Sequence, residues 1–409
     1  MDYTWSSSPL FFPFRMINYA GALSEMIGGT SWFETTTQSL MSSACEKTGL
    51  SDYGDPSFTQ VLDRVLRSSK NNRNLSLYEK IVFQSRLMIH LKNRLLIQRE
   101  LTRFPDIHTE TIIKPLFIIG LQRTGTTFLQ KLLSKDPHNR ILRDWESDPA
   151  PLPNLDRATR DRRIGRAHLK HRMFRFLAPH ISIIHPGSAR GPLECLPLLM
   201  NAFVFNTVPG FCELKEYVDW SRTQDKRESY DFYKRQIKLL QYLRPKSRWV
   251  LKAPMHLENL SFLADAFPDA RFIQIHRSPY ESIPSGCSLY ATYLNMFRDI
   301  SDLGAVGNVY VDMWGHALEK GLEARKQISS DRMMDVDYTR LVVDPVSTVK
   351  KIYSFFNMDV TPIFEQEMQR LLSQKRPERH RYSLEQFHIT PSVIANRFED
   401  YMVRFNIPI

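Results

Sequence analysis

Cysteine is scarce in this chain: Cys45, Cys195, Cys212 and Cys287 are the only four in 409 residues. No two stand at C-x-x-C spacing, and four scattered thiols do not make the dense disulfide framework of a small secreted domain. A reducing compartment follows, and the expectation is a cytoplasmic protein. The histidines form no H-E-x-x-H pattern and no Cys/His cluster, so no metal site is expected. No run of about 18 apolar residues exists, which excludes a spanning helix. At the N-terminus, Leu10-Phe11-Phe12-Pro13-Phe14 is too short and is broken by proline, so no secretory signal is read there. Low-complexity tracts and internal repeats are missing too.

What remains is an ordinary globular composition, 42% hydrophobic and 24% charged, with ample material for a core. The chain is basic: 55 Lys and Arg stand against 44 Asp and Glu, a formal net charge of +11. Basic surfaces favour acidic partners such as nucleotides, sulfated or phosphorylated molecules, nucleic acid or anionic membrane. The positive residues are dispersed, however, with no helix-turn-helix, zinc finger or RNP-like motif, so no specific nucleic-acid partner is expected.

Residues 1–75 read as short helices and loops. Ser76-Leu77-Tyr78-Glu79 then fits a capping box, and Leu77, Ile81, Leu87, Leu91 and Leu95 recur at helical spacing. Leu116-Phe117-Ile118-Ile119 is a short apolar run between Pro115 and Gly120, as expected of a buried parallel strand. A helix is predicted over 127–134. Strands are predicted at 248–251 and 271–275, with a helix from His256 to Phe267 between them. Strands alternating with helices imply a parallel sheet covered on both faces. Residues 150–245 and the chain beyond 345 look mostly helical. The fold class is therefore α/β, with a P-loop-like central parallel sheet flanked by helices and with helical N-terminal and C-terminal additions.

Gly120-Leu121-Gln122-Arg123-Thr124-Gly125-Thr126-Thr127 follows a strand and opens a helix. In that setting successive backbone amides and the helix N-terminus form an anion cradle. Arg123 can fork onto a phosphate, and Thr126 and Thr127 supply hydroxyls. An ATP-binding loop would read G-x-x-x-x-G-K-[ST], but Thr126 occupies the lysine position. No downstream strand is read as ending in the aspartate that would hold Mg²⁺; the one at 271–275 runs into His276-Arg277. A metal-free phosphate site is favoured over an NTPase. A P-loop kinase or NTPase, and a non-enzymatic anion- or nucleic-acid-binding protein, remain the rival readings.

Pro115 through Thr127 resembles the 5′-phosphosulfate loop of sulfotransferases that use 3′-phosphoadenosine-5′-phosphosulfate (PAPS), in the branch with an Arg-[Ser/Thr]-Gly-Thr-Thr loop. Trp249 through Leu257, Phe267 through Phe272 and His276-Arg277-Ser278-Pro279 through Ser285 are similar to the same family's 3′-phosphate segment; Arg277 and Ser285 stand eight residues apart, as that segment requires. Tyr338 through Asp344-Pro345 resembles its later tyrosine and Asp-Pro segment. Asn93-Arg94-Leu95 before Phe104-Pro105-Asp106-Ile107 looks like the N-terminal helix of this branch.

The resemblance implies an enzyme moving a sulfuryl group from PAPS to a hydroxyl or amine without a metal. It implies a donor site of Gln122, Arg123, Thr124, Gly125, Thr126, Thr127, Arg277, Ser285 and Tyr338. Lys252 would assist the leaving group. For the general base it offers Glu146, with Asp144 beside it, because relatives carry a glutamate after the loop helix. The histidine used by the cytosolic small-molecule branch falls on Pro254 here, which leaves His256, two residues on, as the other candidate. Residues 1–110 would form a helical N-terminal region packed on the core. Residues 111–409 would form the transferase domain, with an acceptor-site insertion at about 145–245 and a C-terminal helical cap.

The acceptor is expected to be a small molecule, lipid or carbohydrate. Phe203, Phe205, Trp220, Tyr290 and Tyr293 are candidates to line its pocket, unless they are simply core. The Arg-rich stretch 157–175 is open to an anionic glycan or is merely solvated. Arg379-His380-Arg381-Tyr382 is either a lid over the 3′-phosphate or a solvated face. Oligomeric state is not legible.

Overall fold

The computed structural model describes residues 3–4, 11–26, 35–72, 75–147, 150–153, 156–178, 187–205, 214–244, 247–374 and 380–407. Five strands form one parallel sheet: β2 (Leu116–Ile119), β3 (Asn139–Ile141), β4 (Arg248–Lys252), β5 (Arg271–His276) and β6 (Met333–Asp337). Their spatial order is β3-β4-β2-β5-β6. The remaining strands among the described residues, β1 (Tyr3–Thr4) and β7 (His380–Arg381), pair with each other in parallel. All four residues of β2 are buried, as a strand covered on both faces requires. One face packs Phe117 and Ile119 against Trp249, Leu251, Phe267 and Phe272. The other packs Leu116 and Ile118 against Leu129, Leu133, Val250 and Ile273.

This order fixes where a ligand can sit. From β2 the chain crosses toward β3 on one side; from β5 it goes to β6 on the other. The two connections diverge at the carboxyl ends of β2 and β5, the usual ligand crevice of an open parallel sheet.

The predicted capping box opens the Leu77–Arg103 helix: Glu79 donates its amide to Ser76 Oγ at 3.2 Å, and Ser76 returns its own to Glu79 Oε2 at 2.9 Å. Leu87, Leu91 and Leu95 are fully buried in a cluster that also takes Phe58, Leu62, Phe203 and Phe205. Phe203 and Phe205, candidates for the acceptor pocket, are thus core residues.

Two local expectations change. The helix predicted from His256 to Phe267 is a 3₁₀ turn at Pro254–His256 followed by a helix at Leu260–Ala266. Strand β3 was not foreseen, because it is three half-buried residues of mixed polarity at the edge of the sheet.

Candidate active site

The loop after β2 is built on unusual backbone. Gly120 has φ +141° and Gly125 +87°, and between them Arg123 has +67°, a left-handed value an L-residue seldom adopts. A β-carbon on Gly120 would stand 2.7 Å from the Ile275 carbonyl oxygen of β5, and one on Gly125 3.0 Å from the Tyr338 ring. The glycines therefore let the loop lie against β5 and against Tyr338. Thr124 is buried and donates its hydroxyl to the Leu121 carbonyl at 2.7 Å, bracing the loop from within. Gln122 accepts from the Tyr310 hydroxyl at 2.9 Å. Thr126 and Thr127 open the Thr126–Leu133 helix, whose first amides have no partner inside the helix and suit an anion.

The segment after β5 closes on this loop. Arg277 Nη1 donates to the Arg123 carbonyl at 2.7 Å, Nη2 to the Tyr382 hydroxyl at 3.0 Å, and Nε to Glu281 at 2.8 Å. Its guanidinium lies 4.2 Å from the centre of the Tyr338 ring. Arg123 Nε donates to Ser285 Oγ at 3.0 Å. Burial pulls the Arg123 pKa below its ordinary value, partly countered by the Tyr310 and Tyr382 hydroxyls, while Arg277 adds to the depression. Burial acts on Arg277 too, but Tyr382, Tyr338 and Glu281 outweigh it and the net shift is upward. Two guanidiniums brought together under partial burial make a site that an anion stabilises.

Lys252, the last residue of β4, is 1% exposed. Its ammonium donates to Thr127 Oγ1 at 3.0 Å and to the carboxylate of Glu194. Glu194 is held there by backbone: the Leu193 amide donates to Leu142 O and the Cys195 amide to Lys252 O, each at 2.8 Å. The stretch 192–195 thus lies across the carboxyl ends of β3 and β4. Nothing in the residue pattern marked Glu194, 58 positions before Lys252; the available hint was one acid in the apolar run Pro192-Leu193-Glu194-Cys195-Leu196-Pro197.

Arg123, Thr127, Lys252, Arg277, Ser285 and Tyr338 therefore come together around the β2–β5 crevice, joined by Glu194. The residues expected as the base are engaged elsewhere. Glu146 is 4% exposed and accepts from Arg244 Nη1 at 2.8 Å, Arg140 Nη2 at 3.2 Å and the Arg143 amide at 3.0 Å. Asp144 accepts from Lys170 at 2.5 Å and His171 at 2.6 Å. The 3₁₀ turn swings His256 into the core, where its Nδ1 lies 3.1 Å from the Tyr230 hydroxyl and its ring packs on Phe117 and Tyr233. Burial lowers its pKa to about 3, so at neutral pH it is an uncharged core histidine. Of the basic C-terminal stretch, Arg379 lies outside the described residues, while Tyr382 reaches Arg277.

Fold and loop define a protein of the phosphate-loop class, a parallel sheet with an anion cradle at the carboxyl end of its central strand. The sulfotransferase family profile matches residues 115–362, well over half of the chain, and the chain belongs to that family and is a sulfotransferase. It is 26% identical over 314 residues to the omega-hydroxy-beta-dihydromenaquinone-9 sulfotransferase Stf3 of Mycobacterium tuberculosis and of Mycobacterium bovis, covering 70% of this chain and 69% of theirs. The crystal structure of sulfotransferase STF1 from M. tuberculosis superposes with a TM-score of 0.75 at 28% identity, covering 90% of this chain and 99% of the other. That of STF9 from Mycobacterium avium gives 0.78 at 24% identity, covering 93% and 99%, and shares the fold. No helix among the described residues is long and apolar enough to cross a membrane.

Proposed function

We propose that the protein transfers a sulfuryl group from PAPS to an alcohol, with Glu194 as general base and Lys252 assisting the leaving group. The observation that carries this reading is the Lys252 ammonium lying between Thr127, on the anion loop, and Glu194. In this reading Thr127 would mark the side of the leaving phosphate and Glu194 the side of the attacking oxygen.

The donor set fits a nucleotide bisphosphate. The loop amides with Thr126 and Thr127 would hold the 5′-phosphate, and Arg123, Arg277 and Ser285 would hold the 3′-phosphate. Tyr338, under the Arg277 guanidinium, would lie near the adenine. PAPS supplies the sulfuryl group and leaves as adenosine 3′,5′-bisphosphate. Glu194 would take the acceptor proton as the acceptor oxygen bonds to sulfur. Lys252 would stabilise the charge left on the phosphate oxygen as its bond to sulfur breaks. Catalysis of this kind is mostly positioning and charge stabilisation, as in phosphoryl transfer.

Glu194 is favoured over Glu146 on position. The partners of the Glu146 carboxylate are Arg140, Arg244 and the Arg143 amide, none from the anion loop, whereas Glu194 bonds the Lys252 ammonium that also reaches Thr127. The acceptor proposed is a primary alcohol on an apolar body, consistent with the hydroxylated menaquinone named for the mycobacterial relatives.

The test is single-turnover transfer from radiolabelled PAPS to octan-1-ol by the purified chain and by Glu194→Gln and Glu146→Gln. The reading expects a loss of about 10²–10⁴-fold for Glu194→Gln and near-normal transfer for Glu146→Gln. The reverse pattern would return the base to Glu146.

A further inference from the structure

Large apolar side chains are ordinarily exposed one at a time; a contiguous set points to a binding surface. Two neighbouring helices here carry such a set. In the Phe12–Met26 helix, Phe14, Ile17 and Gly21 face inward, with Phe14 stacked on Tyr78 at 4.0 Å and Gly21 against Leu77. Phe12, Met16 and Tyr19, at i, i+4 and i+7, form an outer ridge, with Phe12 69% and Tyr19 71% exposed. In the Arg157–Leu177 helix, Leu169, Met173 and Phe176 form a second outer ridge, each more than half exposed. The ridges meet where Phe11 sets its ring edge-on to Phe176, centroids 5.4 Å apart.

The rim of this surface is cationic. The Arg157–Leu177 helix holds seven Arg and one Lys against a single Asp. All four of Arg162, Arg166, Arg172 and Arg175 are exposed: the first two continue the line of the Leu169–Phe176 ridge toward the helix N-terminus and the last two flank it. An apolar ridge flanked by arginines is the pattern of a helix lying in the headgroup region of an anionic bilayer. A second copy of the chain fits worse, because a twofold contact would set one arginine rim against its twin.

The surface also backs onto the candidate site. Beneath the two helices, Phe14, Ile17 and Phe174 pack against a buried cluster of Tyr78, Ala178, Leu289, Met296 and Phe297, and Tyr293 packs on the same cluster. Leu289 and Tyr293 belong to the Pro279–Leu294 helix that carries Ser285. Burial chiefly raises the Tyr293 pKa; the charge of Glu194 adds to it and that of Arg123 opposes it, so this hydroxyl lies within electrostatic reach of both.

We propose that the outer faces of the Phe12–Met26 and Arg157–Leu177 helices dock on an anionic lipid bilayer, from which the enzyme draws a membrane-resident amphiphile whose terminal hydroxyl is sulfated at Glu194. The substrate half rests on the proposed transfer site; the docking half does not.

The experiment is co-sedimentation of the full chain with phosphatidylcholine vesicles, with and without phosphatidylglycerol, beside a calorimetric titration with adenosine 3′,5′-bisphosphate. Binding is expected to vesicles containing phosphatidylglycerol and to weaken with salt. The triple variant Leu169→Ser, Met173→Ser, Phe176→Ser should lower the bound fraction about tenfold and leave bisphosphate binding unchanged, which certifies its fold. Arg172→Glu with Arg175→Glu should abolish the dependence on phosphatidylglycerol. Three results would overturn the docking: no vesicle binding, binding indifferent to both variants, or a dimer by light scattering that the triple variant turns into a monomer. Vesicle binding without bisphosphate binding would leave the docking standing and remove the donor reading. Transfer from radiolabelled PAPS to vesicle-borne geranylgeraniol should fall in the triple variant while transfer to dissolved octan-1-ol does not; equal transfer to both would overturn the membrane route for the acceptor.

Discussion

Arg277 Nη1 donates to the main-chain oxygen of Arg123 at 2.7 Å, tying the end of β5 to the loop that follows β2. The same guanidinium covers Tyr338, and the Arg123 side chain reaches Ser285. On the proposed reading, one substitution at Arg277 removes a contact to the 3′-phosphate. Arg277→Ala is expected to weaken adenosine 3′,5′-bisphosphate binding by about 10²-fold, in line with loss of a charge-assisted phosphate contact worth about 2–3 kcal/mol. AMP, which lacks the 3′-phosphate, should lose far less. Calorimetry with both nucleotides checks it, and equal losses would take Arg277 out of that role.

Lys252 is buried between a hydroxyl and a carboxylate, so its charge is held ready rather than solvated. Lys252→Ala should lower single-turnover transfer by about 10²–10³-fold, the usual scale for one electrostatic donor at a developing charge. Binding of the product nucleotide should change little. A parallel loss of nucleotide affinity would make Lys252 a ligand rather than a catalyst.

The carboxylate of Glu146 joins Arg140 and Arg244. Burial already lowers the Arg140 pKa to about 10. Removing the negative charge leaves two cations facing each other. Glu146→Gln should cost about 2–3 kcal/mol of stability, somewhat below the range for a fully buried pair because Arg244 is partly solvated. Urea denaturation reads this directly, and an unchanged midpoint would contradict the structural role.

Two histidines are held neutral by burial. His90, bonded to Asn201 at 2.9 Å, has its pKa lowered to about 4, and His256 to about 3. Both stand below the unfolded value of 6.5. Folding then releases protons at acid pH. The stabilisation is fully present above the unfolded value and is lost as pH falls toward the folded ones. Each histidine should contribute a slope of about 1.4 kcal/mol per pH unit in that window. His256→Phe, which gives up the bond to the Tyr230 hydroxyl, should flatten the slope by one proton's worth without touching transfer. An identical slope in the variant would mean that His256 does not titrate as its burial requires.

Much of the site was legible because it is local. The apolar run of β2, the glycine turn and the helix after it lie within 20 residues of sequence, and Lys252 ends, and Arg277 follows, a strand recognisable by its own apolar run. The base proposed above, Glu194, was not legible, because its place beside Lys252 depends on a long-range contact. Glu194 reaches Lys252 through backbone hydrogen bonds to residues after β3 and at the end of β4, and no pattern around it announces them. Glu146 drew attention by its position after the loop helix, yet its ion pairs with Arg140 and Arg244 depend on the tertiary fold. His256 followed a strand end like Lys252, but Pro254 starts a turn that directs it into the core. The exposed ridges of the Phe12–Met26 and Arg157–Leu177 helices escaped for another reason. An apolar residue at helical spacing reads as core until its surroundings are known.

The measurement that bears most directly on the donor is calorimetric titration of the purified chain with adenosine 3′,5′-bisphosphate, AMP and Mg-ATP. The account predicts tight binding of the bisphosphate without added metal, weaker binding of AMP and little of Mg-ATP. Preference for Mg-ATP, or no binding of the bisphosphate, would contradict it.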